Sequence, residues 1–542
     1  MRRAKFGVSL WLGAAFLAHA AWAAAPFDGV EQAYIDTLDA GNAADFIDSG
    51  FVEQVDGRDR DAWEAILQQR RADLDARLAA LSQATLAPAD AAALAAIRRS
   101  LASLDALIPS DAPGRNCAES SRRDLDYGAL RAALVSCFIE IGNQLPFEGR
   151  TINRAQARTL LAELDEPARR RAIFTALQPL WTAINGANAP DSPYRRMIAL
   201  AAADAARHGS EIDTAARAVG VDVPELERWL VRILEAWSAA NGTAEVEPWD
   251  FTYAVAEGSR QLSQRIALAD LRPLNDRYYV DLGADLATLG VVFDLAPRAD
   301  KSSVAYTDFL RRGRAGATGW QRPLARVVAT YTHGGLGELN ELVHESGHAV
   351  HVSAIHTRPA YMDWPDALFD EAFADVSSWS VYEPAWQQRY LGASIPESTS
   401  LRALYGNVML DVAWSLFELR MLRAPASDPN LVWTDITHRY LHIVPHPELP
   451  WWALRVQLVE SPGYMVNYGL GAVLTADMRQ RVAAAIGPFD AGNARWYPWL
   501  SEHLLGYGSE RDTAQLMSGL LGRPVAPEAL LAQLRRIRPD TP

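Results

Sequence analysis

Apolar residues recur every three to four positions through most of residues 27–240, the spacing that lines one face of a helix. Trp63, Ile66, Leu67, Leu74, Leu78 and Leu81 make one such face. Leu94, Ile97, Leu101, Leu104 and Ile108 make a second, which Pro109 ends. Asp222 and Pro224 open a third helix, with Leu226, Trp229, Leu230, Ile233 and Trp237 on its inner side. Asn241-Gly242-Thr243, running into Glu247-Pro248-Trp249-Asp250, reads as a connection. Beyond it the period changes. Val291-Val292-Phe293-Asp294-Leu295 and Leu324-Ala325-Arg326-Val327-Val328-Ala329-Thr330-Tyr331 are β-branched-rich runs bounded by turn residues, hence strands. Helical spacing then returns and holds to the C-terminus. The pattern predicts a mainly α protein with a small antiparallel sheet, a helical region over residues 24–244 and a second region over residues 245–542.

Residues 1–23 stand apart. Arg2, Arg3 and Lys5 precede an apolar stretch over residues 6–18, and Ala21-Trp22-Ala23 fits the small-x-small rule. This order predicts a signal peptide cleaved after Ala23, hence an exported protein, periplasmic or secreted. The stretch is too short to span a membrane, and no later segment reaches about 18 unbroken apolar residues, so no membrane anchor is expected. The formal charge of −14 and pI near 5.3 exclude a basic face of the kind nucleic acid requires. Oligomeric state is not legible. Export changes the reading of the only two cysteines, Cys117 and Cys137: in an oxidising compartment they pair, the alternative being two unrelated buried thiols.

The segment that carries chemistry is Glu341-Leu342-Val343-His344-Glu345-Ser346-Gly347-His348-Ala349-Val350-His351. On a helix, His344 and His348 lie four apart on one face, with imidazoles able to converge on one ion. With 11 histidines in the chain, chance would supply H-E-x-x-H in about one such chain in a hundred. Catalytic zinc takes three protein ligands and keeps one position open. Glu345 directly follows the first His, which places its carboxylate where a general base for water is needed. A third ligand is expected from Leu368-Phe369-Asp370-Glu371-Ala372-Phe373-Ala374-Asp375, where Glu371 and Asp375 share a helix face. Glu371 is the expected ligand and Asp375 the acceptor for a ligand imidazole N–H. Asp370 or Asp375 as ligand is the competing assignment, which Phe369 and Phe373, suited to buried positions, disfavour. Glu460-Ser461-Pro462-Gly463-Tyr464-Met465-Val466-Asn467-Tyr468 presents two phenols four apart after a Pro-Gly turn, as donors to an oxyanion or as an ordinary core pair.

Together these elements resemble the thimet oligopeptidase and oligoendopeptidase F family of zinc metallopeptidases. Pro248-Trp249-Asp250, Asp294-Leu295 with Arg298 and Lys301, His344-Glu345-x-Gly347-His348-x-x-His351, and Gly463-Tyr464 with Tyr468 are similar to that family's motifs, in consistent order over residues 245–475. Around residues 371–379 the wording is closer to the angiotensin-converting-enzyme family. The tyrosine segment also resembles thermostable carboxypeptidases of the same broader group. The resemblance implies a two-lobed helical fold with a deep channel for short peptides. It implies one zinc ion per chain on His344, His348 and Glu371, Glu345 as base, and Tyr464 and Tyr468 on the substrate. It also implies a strand over residues 327–332 pairing with the substrate backbone. Two departures stand out. The family's catalytic His before the Gly-Tyr pair is absent, the stretch reading Gln457-Leu458-Val459-Glu460, and its further tyrosine is replaced by Gly471. Oxyanion stabilisation would then rest on Tyr464, Tyr468, or a distant group such as His442 or His446. Three readings follow: an endopeptidase, an exopeptidase acting at the C-terminus (peptidyl-dipeptidase or carboxypeptidase), or a catalytically weak or inactive peptide-binding protein on the same fold.

Overall fold

Several helices begin where the sequence supplies a cap. In the computed structural model, which describes residues 26–81, 86–106, 116–298, 301–302, 304–316 and 319–538, the chain opens with α1 (Pro26–Asp48), α2 (Arg60–Ala80) and α3 (Pro88–Ala106). The expected signal segment at 1–23 and the Ile108-Pro109 helix end lie outside the described residues. Asp59 caps α2 by accepting the Ala62 N–H at 3.0 Å. Of the apolar face expected on α2, only Leu74 is fully buried, because the helix packs on α1 at the surface. Then come α4 (Tyr127–Glu140), capped by Asp126, and α5 (Arg154–Glu163), opened by a reciprocal Asn153–Gln156 box with both bonds at 2.9 Å.

Between α4 and α5 the otherwise helical first half holds a hairpin, β1 (Leu145–Phe147) and β2 (Arg150–Ile152), which its hydrophobic spacing did not announce. Its two-residue turn puts both Glu148 and Gly149 at positive φ, the geometry that matches strand twist. Helix α6 (Val223–Asn241) starts on the Asp222 cap with Pro224 in its first turn, as the sequence predicts, and α7 (Glu257–Ser263) follows. The later region is built on α8 (Leu336–Ala354), α9 (Ala367–Ser378), α10 (Glu397–Arg423) and α11 (Val466–Ile486), with shorter helices in the connections.

The sheet is mixed rather than purely antiparallel. Strand β3 (Val292–Asp294) runs parallel to β7 (Leu324–Val328), while β4 (Tyr306–Arg311) pairs antiparallel with β7, Thr307 opposite Val327. A separate hairpin, β5 (Arg314–Gly316) and β6 (Gly319–Gln321), lies between them in sequence. β7 takes the middle because Ala325, Val327 and Val328 are fully buried, so this strand needs partners on both edges. Lys301 closes the end of the sheet: its ammonium donates to the carbonyls of Asp294 (2.8 Å), Ala296 (3.1 Å) and Ala329 (2.6 Å) and to the Asp294 carboxylate at 3.2 Å. Of the 52 Lys and Arg residues only Lys5 and Lys301 are lysines. A compact ammonium satisfies that carbonyl ring where a planar guanidinium would not.

One contiguous apolar core runs from Phe27 to Ile537, with Trp181, Trp237, Trp386, Trp433, Trp452 and Trp496 fully enclosed. The N-terminal helices are tied to the sheet and the loops beside it. Asn42 donates to the Phe309 carbonyl at 3.2 Å, Arg314 pairs with Asp36 and Asp39, and Arg358 pairs with Glu31 at 2.8 Å. Among the described residues no helix is long and apolar enough to cross a membrane.

Candidate metal centre and active site

Helices α8 and α9 meet at a glycine. A Cβ on Gly347 would lie 2.9 Å from Ala374 Cα and 3.0 Å from its carbonyl oxygen, so only glycine lets the two backbones approach this closely. Ala374 lies three residues after Glu371, and the close approach brings Glu371 across to the histidines.

His344 Nε2 and His348 Nε2 lie 3.1 Å apart, and Glu371 Oε2 lies 3.4 Å from His344 Nε2. One ligand atom from each of the three falls within 4.8 Å of the others. Donors spaced tetrahedrally at zinc–nitrogen distances of about 2.0–2.1 Å sit about 3.3 Å apart, so this set fits such an ion with little movement. The second nitrogen of His344 agrees, while His348 Nδ1 is buried and has no partner among the described residues. His344 Nδ1 contacts the Asp375 carboxylate at 2.8 Å, and that carboxylate also accepts the Ser378 hydroxyl at 2.9 Å. The contact fixes the tautomer that turns the Nε2 lone pair toward the shared point. Burial alone would lower the pKa of His344, but Asp375 and Glu371 overcome it and hold the imidazole well above its ordinary value. Burial and the His344 charge push His348 down to about 4. Burial would raise Glu371, yet the two histidines hold it at about 2.

Glu345 is not one of the clustered donors. Its Oε2 accepts the Thr307 hydroxyl from β4 at 2.6 Å, and the same hydroxyl lies 3.1 Å from the Glu345 carbonyl. Burial pushes this carboxyl up to about 7 despite the opposing pull of His344 and Thr307. A divalent cation on the neighbouring donors would draw it down again. The sequence reading missed Thr307, although Tyr306-Thr307-Asp308-Phe309 alternates β-formers and could have been read as a strand.

Asp370, the competing ligand, folds back to accept the Glu371 N–H at 2.8 Å. His351 is a packing residue. Its ring meets Trp364, Phe369 and Phe373 edge-on at centroid distances of 5.1, 5.5 and 5.4 Å, and burial drives it down to about 3, hence neutral.

Helix α11 runs parallel to α9: Thr475 donates to the Ala372 carbonyl at 2.9 Å, and Arg479 bonds the Val376 carbonyl one turn on. Its first turn carries Tyr468, whose ring centroid lies 5.8 Å from that of Tyr464. Burial first, and the Glu371 charge after it, raise both phenols, Tyr468 to about 12, so both are proton donors at neutral pH. Gln457, in the stretch where the resembled family carries its histidine, donates to the Tyr468 hydroxyl at 3.2 Å. The turn before Tyr464 uses Gly463 at φ +101°, a conformation that favours glycine. Glu418 of α10, fully buried, holds this turn by accepting the Met465 N–H at 2.8 Å. Where Gly471 replaces the family's further tyrosine, an added Cβ would meet nothing within 4 Å.

Three expectations fail. His442 is engaged with Ser238 at 2.9 Å, and His446 bridges Glu247 (2.9 Å) and Glu448 (2.6 Å), so neither is free to replace the absent histidine. The strand expected to pair with substrate over residues 327–332 has Val327 and Val328 laddered on both edges, to β3 and β4. Beyond them Ala329 bonds Asp294 and Lys301, which leaves only residues 330–332 with an open backbone.

No family model matches the chain, and no curated protein matches it. A solved structure does. The crystal structure of M32 carboxypeptidase from Deinococcus radiodurans R1 is similar with a TM-score of 0.57 at 16% identity, covering 94% of this chain and 97% of that one. The two share a fold. The neighbour is a carboxypeptidase and gives no specific support to the thimet and oligoendopeptidase F resemblance read from the motifs. Cys117 and Cys137 are joined by a disulfide that ties the turn at Cys117 to α4.

Proposed function

We propose that this chain is an exported zinc metallopeptidase that trims short peptides from their C-terminus. The observation that carries hydrolysis is the separation of roles at the site. Three donors converge on one point, while a fourth group, Glu345, is not among them and is held by the Thr307 hydroxyl. A purely structural metal site usually closes with four protein ligands and has no use for such a base. The same pairing disfavours the peptide-binding protein.

When bound, zinc supplies a Lewis acid and lowers the pKa of water toward 7. His344, His348 and Glu371 would hold it, and Asp375 keeps His344 in the tautomer that can. Glu345 accepts a proton from the attacking water at a carboxylate oxygen and returns it to the leaving amine. Tyr464 and Tyr468 supply the phenol donors on which an oxyanion would draw, in place of the absent histidine. The Gln457 contact orients Tyr468 for that task.

Exopeptidase action is favoured by the fold shared with a carboxypeptidase over nearly the full length of both chains. The endopeptidase, with the channel for short peptides that the motif resemblance implies, is the second reading. The Cys117–Cys137 disulfide supports an oxidising compartment, as export would provide. Time-resolved mass spectrometry on short peptides tests the mode of action. Sequential loss of C-terminal residues is the expected outcome, and internal cleavage of C-terminally amidated peptides would favour the endopeptidase.

A further inference from the structure

The two histidines of the donor set are supported unequally. The second ring nitrogen of His344 meets the Asp375 carboxylate at 2.8 Å. That of His348, Nδ1, is buried and has no hydrogen-bond partner among the described residues. An imidazole that offers Nε2 to a metal carries its proton on Nδ1, so this nitrogen is a donor when the ion is bound. A partner on that N–H is what ordinarily fixes both the tautomer and the orientation of a ligand ring. His348 needs another means of support.

Trp364, in the connection between α8 and α9, lies against this ring. The indole and the His348 imidazole stand at 78° to one another with centroids 5.7 Å apart. The same indole meets His351, one turn on along α8, at 5.1 Å. Its own place is set from β4. The indole N–H donates to Asp308 at 3.2 Å, and Asp308 in turn accepts the Tyr306 hydroxyl at 2.9 Å and the Phe309 N–H at 2.6 Å. The Phe309 ring packs on the indole with centroids 5.3 Å apart. Arg312, buried just beyond β4, holds the two residues before Trp364: it donates to the Met362 carbonyl at 2.9 Å and to the Asp363 carboxylate at 3.2 Å.

An aromatic ring fixed at its N–H, its neighbour and its backbone is a rigid surface. Its face is electron-rich and its edge electron-poor, so near-perpendicular packing favours an N–H over a lone pair against the face. Such N–H contacts with a ring are weak. Here no stronger partner among the described residues competes, and charge drawn from the imidazole by an ion on Nε2 would strengthen the contact.

We infer that Trp364 is a positioning residue for the metal centre: its indole takes the place of a hydrogen-bond partner on His348 Nδ1 and keeps Nε2 turned to the shared point. This deepens the metallopeptidase reading and rests on its metal centre. Consecutive residues of β4 then serve two sides of the site. Thr307 holds the base directly, and Asp308 holds a ligand through Trp364.

The test compares zinc affinity, by chelator competition, in the full chain and in Trp364→Leu and Trp364→Phe. Leu removes the ring and should weaken binding about 10- to 100-fold, the range for groups that orient a metal ligand. Phe keeps an aromatic face without the bond to Asp308 and should recover part of the loss. Cobalt(II) in place of zinc reports ligand geometry: its visible spectrum should change in Trp364→Leu and return toward that of the unsubstituted chain in Trp364→Phe. A role in packing alone would lower the melting temperature and leave that spectrum unmoved. A second measurement needs no variant. In the zinc-loaded chain with isotope-labelled histidine, the His348 Nδ1 proton should resonate well upfield of the His344 Nδ1 proton, because the indole ring current shields the first and Asp375 deshields the second. A His348 proton as far downfield as that of His344 would place an ordinary acceptor there, a water included, and overturn the inference. So would Trp364→Leu with unchanged zinc affinity and cobalt spectrum, which would leave the metal centre itself standing. A chain that takes up no zinc would overturn the metal centre and this role together.

Discussion

Gly347→Ala separates the geometry of the metal centre from its chemistry, because it removes no ligand, base or charge. The new Cβ would sit 2.9 Å from Ala374 Cα and 3.0 Å from its oxygen, whereas carbon atoms in contact prefer about 3.5–4.0 Å. Helices α8 and α9 must therefore part by roughly 0.6 Å or more. Zinc–ligand distances tolerate about 0.2 Å, and Glu371 lies on α9 while both histidines lie on α8. The displacement falls on the ligand set. Overpacking of this kind costs about 1–3 kcal/mol, offset by about 1 kcal/mol of helix propensity gained on replacing glycine. The metal-free protein should thus melt only slightly lower, while zinc affinity falls at least about tenfold, or about 1.4 kcal/mol. Competition against a chromophoric chelator measures the affinity, and calorimetry with and without chelator measures the melting. A variant that binds zinc as tightly as the unsubstituted chain would refute the claim that helix approach at Gly347 sets the site.

Asp375→Asn should weaken zinc binding about 10- to 100-fold, read by the same competition, because it removes the charge that orients His344 at 2.8 Å. Thr307→Val should raise the pKa of Glu345, whose carboxylate its hydroxyl stabilises, and move the acid limb of the kcat/KM profile to higher pH. Glu418, fully buried, is pushed up to about 8 by burial, against the pull of its Gly463 and Met465 N–H contacts. A carboxyl whose pKa is raised on folding gives stability that is present at low pH and lost as pH climbs to that value. Denaturant titrations should therefore show the unsubstituted chain losing a few kcal/mol (about 1.4 per pKa unit) relative to Glu418→Gln between about pH 5 and 8.

Much of the site was legible because its residues are local in sequence. His344, Glu345 and His348 share two turns of one helix, and Glu371 and Asp375 share the next, so helical spacing put on common faces the groups that the structure brings together. The cap residue Asp222 likewise announced its helix. What spacing could not give was contact between distant segments. Thr307 reaches Glu345 across 38 residues of sequence. The hairpin between α4 and α5 escaped because its strands are three residues each, shorter than the alternation needs to show. The strand expected over residues 324–331 was found over 324–328, but its place in the middle of the sheet depends on β4, which the hydrophobic runs did not reveal. Gly347 carried its own signal: a glycine inside a helix costs about 1 kcal/mol, and the close approach of α9 accounts for it.

The central claim is that a metal held by His344, His348 and Glu371 works with Glu345 as base, and Glu345→Gln tests it most directly. The variant keeps the shape and the metal ligands and removes only the proton acceptor. Zinc content by elemental analysis, measured beside peptide cleavage on the same sample, should show one ion per chain with turnover lowered about 10²- to 10⁴-fold. Turnover near that of the unsubstituted chain, with zinc in place, would contradict the assignment.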